Sequence, residues 1–262
     1  MRRASLAALV FATSFVGIGF LALPVIAIFT RVSPATLAAQ LGNPVVTDAL
    51  IVSLKTTLAA QALILLIGTP TAYILAARRF RGRSLLVTLV ELPLVLPPAV
   101  AGIGLFAAFG RTGLLHTSIP FTQAAVVLAV AFVASPLYVR AAIAAFEAID
   151  QNVVAASRTL GAGSGRTFFR VVLPLARGGL AAGAALAFAR GLGEFGATIM
   201  FAGSFRGRTQ TLSLAVYDQF SVDFETALAV SALLVVISAA LLVTLKWLPF
   251  ISTSRFRFAT SS

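Results

Sequence analysis

Unbroken apolar blocks, each about as long as a membrane span, constrain this chain more than any other feature. Leu6 to Phe29 contains no charged residue, and comparable blocks recur along the sequence. Hydrocarbon about 30 Å thick takes on the order of 20 apolar residues per helix. In it only helices and closed barrels satisfy their own backbone, and these blocks have the length of helices. With 59% hydrophobic and 11% charged residues among 262, the chain also lacks the charge that a soluble domain needs to wet its surface. The expected fold class is all-α: a polytopic inner-membrane protein, with residues 1–262 as a single transmembrane domain and no room for a sizeable soluble one.

Hydropathy and length place six transmembrane helices. They run at about Leu6 to Phe29, Asp48 to Ala77, Leu85 to Phe109, Gln123 to Ala145, Gly178 to Ala202 and Thr226 to Leu248. Arg2 and Arg3 precede the first, as in a secretory leader. Its apolar core is too long for one and no small-residue cleavage site follows, so it reads as an uncleaved helix. Pro93 and Pro97-Pro98 crowd the third span. Interior prolines persist where neighbours or water satisfy the freed backbone groups, so a kinked or broken helix beside a cavity is expected there.

The net charge of +12 would suggest nucleic acid in a soluble protein; here it reads as membrane topology instead. With both termini in the cytosol, the inside holds Arg2, Arg3, Arg78, Arg79, Arg81, Arg83, Arg140, Arg158, Arg166, Arg170, Arg177, Lys246, Arg255 and Arg257. The outside holds Arg31, Arg111, Arg206 and Arg208. The bias holds loop by loop, and an odd number of spans would scramble it.

The longest cytosolic stretch is about 146–177. Asp150 is suited to cap a short helix running to Leu160. Gly161, Gly163 and Gly165 then stop it and permit a tight turn. Thr167 to Leu173 resumes as an amphipathic run, and Pro174 sets the start of the fifth span. The result is a small helix lying across the membrane face, a knob that a partner can grip.

This stretch resembles the cytoplasmic signature of ABC importer permeases: Glu-Ala-Ala, three residues, Gly, nine residues, Ile, one residue, Leu-Pro. Here it reads Ala155-Ala156-Ser157, Gly161, Val171, Leu173-Pro174, with the spacing intact. Ala155 replaces the glutamate and Val171 the isoleucine. Two further blocks are similar to molybdate and tungstate permeases. One is Leu92-Pro93-Leu94-Val95-Leu96-Pro97-Pro98-Ala99-Val100-Ala101-Gly102. The other is Gly193-Glu194-Phe195-Gly196-Ala197-Thr198-Ile199-Met200, followed by Gly207-Arg208-Thr209-Gln210-Thr211-Leu212. Sulfate and thiosulfate permeases resemble the second block less closely and mark the alternative cargo.

The resemblance implies a type I importer permease: a homodimer of this chain, two cytosolic ABC ATPase subunits and an extracytoplasmic oxyanion-binding protein. Ala155, Ala156, Ser157, Leu160 and Gly161 would form the docking surface, with ATP and magnesium held by the partner ATPase. The residues themselves agree that no nucleotide site is present. Gly161 to Thr167 is glycine-rich, but Arg166 stands where the last glycine of a phosphate loop would be, and no strand precedes it. With no cysteine and one histidine, His116, neither a thiolate nucleophile nor a metal site is expected. No cluster of His, Asp or Glu marks one membrane face for an enzyme. A self-sufficient secondary transporter would show inverted repeats and a midplane polar cluster; no clear repeat stands out.

The charges deepest inside the spans are Lys55, Glu91, Arg190 and Glu194. Each costs about 2.5–3.5 kcal/mol at a helix centre on insertion scales, so each should meet protein or water. Lys55 either snorkels outward or draws an anion inward. Glu91 is expected to pair with an arginine at the inner side. Arg190 and Glu194, four apart on one face, read either as a packing lock or as a pathway pair, among the small residues Gly193 and Gly196. Arg206 and Arg208 form either a solvated loop or a basic rim for an anion.

Overall fold

The computed structural model describes residues 2–78 and 80–253; Arg79, Arg255 and Arg257 of the charge pattern lie outside the described residues. The fold is all-α. Its helices are α1 (Arg2–Arg31), α2 (Pro34–Gln40), α3 (Pro44–Ala77), α4 (Arg83–Val95), α5 (Pro98–Phe109), α6 (Gln123–Glu147), α7 (Gln151–Thr159), α8 (Ser164–Thr167), α9 (Leu173–Leu192), α10 (Gly196–Ala202), α11 (Leu212–Phe220) and α12 (Phe224–Thr253).

Within the described residues, four helical stretches are long and apolar enough to cross a membrane: Leu9–Arg31, Pro44–Ala77, Gln123–Glu147 and Ser164–Leu192. The pair α4–α5 makes a fifth if counted as one span, and the apolar part of α12 at Phe224–Ala240 is shorter. This is a multi-pass membrane protein.

The third span is broken, as its prolines suggested, and the break is severe. The chain bends by 115° from α4 to α5. Leu96 is extended, and Pro97 and Pro98 have no N–H to continue the α4 ladder, so α5 starts afresh on its own Pro98. The inside of the bend faces an apolar groove of about 380 Å³ between α3, α4, α5 and α6.

The fifth span departs from expectation at both ends. At its start the helix does not wait for Gly178. It runs from Ser164, through Gly165, into a π turn at Phe168–Val172 and on into α9. Leu173 N–H donates to Phe168 O, five residues back. The widened turn lets the helix absorb Pro174, which has no N–H to give. At its end, residues 193–195 interrupt the helix, and α10 is a separate piece.

α3, α6 and α9 form the packed core, held by small residues that bring backbones close. A Cβ at Gly179 would meet Ala145 Cβ at 2.5 Å, and one at Gly183 would meet Ala141 Cβ at 2.6 Å. Tyr138 of α6 lies against Gly68 of α3, its hydroxyl 2.6 Å from Thr69 Oγ1. By contrast α1 buries none of its membrane-length stretch against the rest of the chain. At one end of the core Arg206 pairs with Asp48 near the start of α3. At the other, Arg83 donates to Leu75 O near the end of α3 and pairs with Glu147. Arg206 of the outside set and Arg83 of the inside set thus fall at opposite ends of α3.

Candidate functional site

The knob on the inner side is built by local chemistry. Asp150 caps α7, its carboxylate accepting from Asn152 N–H at 2.8 Å. At the other end Gly161 takes φ +83°. Gly161 N–H donates to Arg158 O at 2.9 Å and Ala162 N–H to Ser157 O at 3.1 Å, the paired bonds of a Schellman C-terminus. The short helix of the sequence reading therefore exists between its expected cap and its expected glycine. Gly165, expected to stop it, lies instead within α8.

The knob is seated rather than tethered. Tyr73 of α3, Phe146 of α6 and Phe168 of the π turn meet with ring centroids 4.7 to 6.3 Å apart. Val154 of α7 is buried in the core. Ser157 turns inward: its hydroxyl donates to Val154 O and lies 3.2 Å from Thr167 Oγ1, tying α7 to α8. Ala155, Ala156, Leu160 and Gly161 stay exposed. Leu160, at the end of α7, is 88% exposed, and Phe169 of the π turn 67%. Val171 is half-buried, Leu173 is half-buried and Pro174 exposed, along the continuous helix behind the knob. A cleft of about 120 Å³ opens beside α7, lined by Tyr73, Phe146, Gln151, Val154 and Arg158 among others.

The break between α9 and α10 holds the buried acid. Glu194 is 2% exposed. Its Oε1 accepts from Ala197 N–H at 2.8 Å, capping the first turn of α10. Its Oε2 lies 2.8 Å from Arg190 Nη1 as an ion pair, off the axis of an aligned hydrogen bond. The Arg190 side chain keeps a third of its surface exposed. Gly196 packs against α5, where an added Cβ would lie 2.7 Å from Pro98 Cβ; Gly193 stands open. The other span charges divide: Glu91 pairs with Arg140 at 3.1 Å, and Lys55 is exposed on α3.

The outer loop separates its two arginines. Arg206 donates through Nε to Asp48 at 3.0 Å, whereas Arg208 is exposed with no ion pair among the described residues. The block around them is a built turn. Gly203 and Gly207 take φ +66° and +68°. Phe205 O accepts from the N–H groups of Arg208, Thr209 and Gln210. Asp218 receives Ser204 Oγ and Gln210 Nε2, and Leu212 N–H donates to Ser53 Oγ on α3 at 2.7 Å. Sequence reasoning missed Ser53, whose partner lies 159 residues away, and Asp218, whose partners 8 and 14 residues before it are brought back by the turn. His116 sits in another outer loop at φ +48°, and the described residues hold no cluster of metal-ligating side chains.

Residues 64–257 match the family described as binding-protein-dependent transport system inner membrane component. The chain is 46% identical over 239 residues to the molybdenum transport system permease protein ModB of Mycobacterium tuberculosis, an alignment covering 88% of this chain and 90% of the relative. It is 34% identical over 231 residues to the molybdate/tungstate transport system permease protein WtpB of Pyrococcus abyssi, with 87% and 90% covered. Among solved structures, a chain of the MetNI methionine ABC transporter in its inward-facing conformations superposes with a TM-score of 0.61 at 21% identity, covering 78% of this chain and 94% of that one. At that identity the likeness concerns the fold alone.

Proposed function

Because this chain belongs to the inner membrane components of binding-protein-dependent transport systems, we propose that it is the membrane permease subunit of an ABC importer for molybdate or tungstate, the oxyanions named for its relatives. Two copies form the membrane part, each contributing six spans with both termini in the cytosol: α1, α3, the bent α4–α5 pair, α6, α9–α10 and α12. Two ATPase subunits lie below, and an oxyanion-binding protein delivers cargo above.

The observation that carries the mechanism is the exposed Leu160 at the end of a capped helix that Ser157 ties to α8, whose continuing π turn is packed through Phe168 on the rings of α3 and α6. Leu160 stands within the segment whose spacing matches the importer signature, and it supplies the apolar part of the surface that the ATPase grips. A rigid knob transmits displacement, whereas a floppy loop absorbs it. ATP binding closes the separate ATPases and draws the two knobs together. The helices behind them rock from inward-open to outward-open, and hydrolysis resets the state. This is alternating access with energy supplied from another chain.

The test is uptake into vesicles holding the permease, its ATPase and its binding protein. Molybdate or tungstate should accumulate only with ATP and the loaded binding protein. Accumulation by the permease alone would overturn the coupling, and accumulation of sulfate in their place would overturn the cargo.

A further inference from the structure

We propose that Arg190 is the intramembrane contact for the transported oxyanion and that Glu194 is the residue positioning it; the cargo class rests on the reading above. α9 has an open face. Gly178, Ala182 and Leu186 are exposed, Arg190 beyond them is half-exposed, and Gly193 is exposed, a Cβ added to it meeting only its own helix's carbonyls at 4.0 Å. Gly179, Gly183 and Gly191 are packed instead, against Ala145, Ala141 and Val130 of α6.

Depth makes this placement costly unless the face is wet. Arg190 lies thirteen residues beyond Arg177 and sixteen before Arg206. At 1.5 Å per helical residue it stands about 20 Å from Arg177, within hydrocarbon about 30 Å thick. A guanidinium there does not face acyl chains.

Glu194 does not cover it. One carboxylate oxygen is committed to Ala197 N–H and the other meets a single guanidinium nitrogen. The remaining N–H donors of Arg190 have no acceptor among the described residues. Guanidinium presents its donors as a planar fork that matches oxyanions in pairs. The neighbouring carboxylate has a second consequence. It offsets the charge, so the fork attracts a dianion without trapping it, as passage demands sites that bind weakly enough to release. A pure packing lock would bury both partners; here the acid is buried and the base is held open.

The chain has no cysteine, so Gly193→Cys places one thiol on this face, and the open surroundings accommodate it. In vesicles with the full transporter, an anionic methanethiosulfonate should modify position 193 about tenfold faster than a cationic one, because the guanidinium is open to the reagent while its carboxylate partner is buried behind it. Molybdate should slow that modification. In an Arg190→Gln background the preference should collapse to about one, and uptake should fall while binding-protein-stimulated ATP turnover continues. Since Arg190→Gln strands a buried carboxylate, the neutral double variant Arg190→Gln/Glu194→Gln is measured beside it and should behave alike. Failure of both reagents to react in every nucleotide state, an anion preference that survives loss of Arg190, or unchanged uptake by the double variant would overturn the proposal. A wild-type transporter that carries neither molybdate nor tungstate would overturn the cargo reading instead, and leaves the reagent preference as an independent reading of Arg190.

Discussion

A Cβ added to Gly102 would lie 2.6 Å from the carbonyl oxygen of Ala197. α5 and α10 thus touch backbone to backbone, and the two blocks that resemble the molybdate permeases, nearly a hundred residues apart, are the two sides of one contact. Gly196 against Pro98 is its other half. The contact anchors α10 to the broken third span just above Glu194. Because the obstacle at Gly102 is a carbonyl, no side chain can move aside. Gly102→Ala should lower the stability of the detergent-solubilised protein by about 1–3 kcal/mol. Gly104→Ala, in the same helix with nothing within 4 Å, should leave the melting temperature unchanged. Equal melting temperatures for both variants would count against this packing.

Gly161 separates conformation from contact. No atom lies within 4 Å of the position where its Cβ would be, but φ is +83°. Left-handed backbone costs an L-residue roughly 1–2 kcal/mol, and asparagine tolerates it best. Gly161→Asn should therefore keep most ATP-dependent uptake. Gly161→Val should lose most of it while inserting normally, because the Schellman bonds that end α7 are lost and the knob is no longer rigid. Co-purification with the ATPase, read alongside uptake, checks this; identical behaviour of the two variants would point to steric crowding by the partner instead.

The knob was legible in the sequence because its determinants are local. Asp150, Gly161 and the distance between them are read within twelve residues. The break at 193–195 was not legible. Its hydropathy is that of a span, and what ends α9 there is Glu194 turning to Ala197 N–H while Gly196 settles on Pro98 from another helix. The π turn escaped for a similar reason: Pro174 reads as a helix start, yet the chain widened one turn and carried on. The outer rim is the clearest case of long-range chemistry. Arg206 looked as free as Arg208, and only the fold brings Asp48 to it across 158 residues.

Asp223 gives a pH-dependent feature outside the membrane spans. Hydrogen bonds from the Thr226 hydroxyl and N–H, and from Glu225 N–H, hold its carboxylate below the ordinary aspartate value of 3.8. These bonds favour the charged form. A lowered folded value means that the contribution is complete above the ordinary value and disappears as pH falls through the lowered one. Amide exchange in the first turn of α12 should be faster in Asp223→Ala than in wild type at pH 7. That gap should persist down to about pH 4 and close only below it. A gap that closes between pH 6 and 5 would assign the cap to another group.

Gln61 sits in the middle of α3, one turn past Thr57, whose methyl faces Gly191 of α9. Both Nε2 and Oε1 are buried, and neither has a hydrogen-bond partner among the described residues. An unsatisfied buried amide costs about 1–3 kcal/mol, a penalty that an apolar group of similar shape avoids. Methionine matches glutamine in length and flexibility and fills the space without stranding a donor. Gln61→Met should raise the thermal midpoint of the purified protein, and Gln61→Ala should lower it by opening a cavity beside α9. The comparison is informative because polarity and volume push in opposite directions. If Gln61→Met instead lowers the midpoint, the amide is satisfied in the working protein by ordered water within the α3–α9 seam, and the seam is wetter than its apolar lining implies.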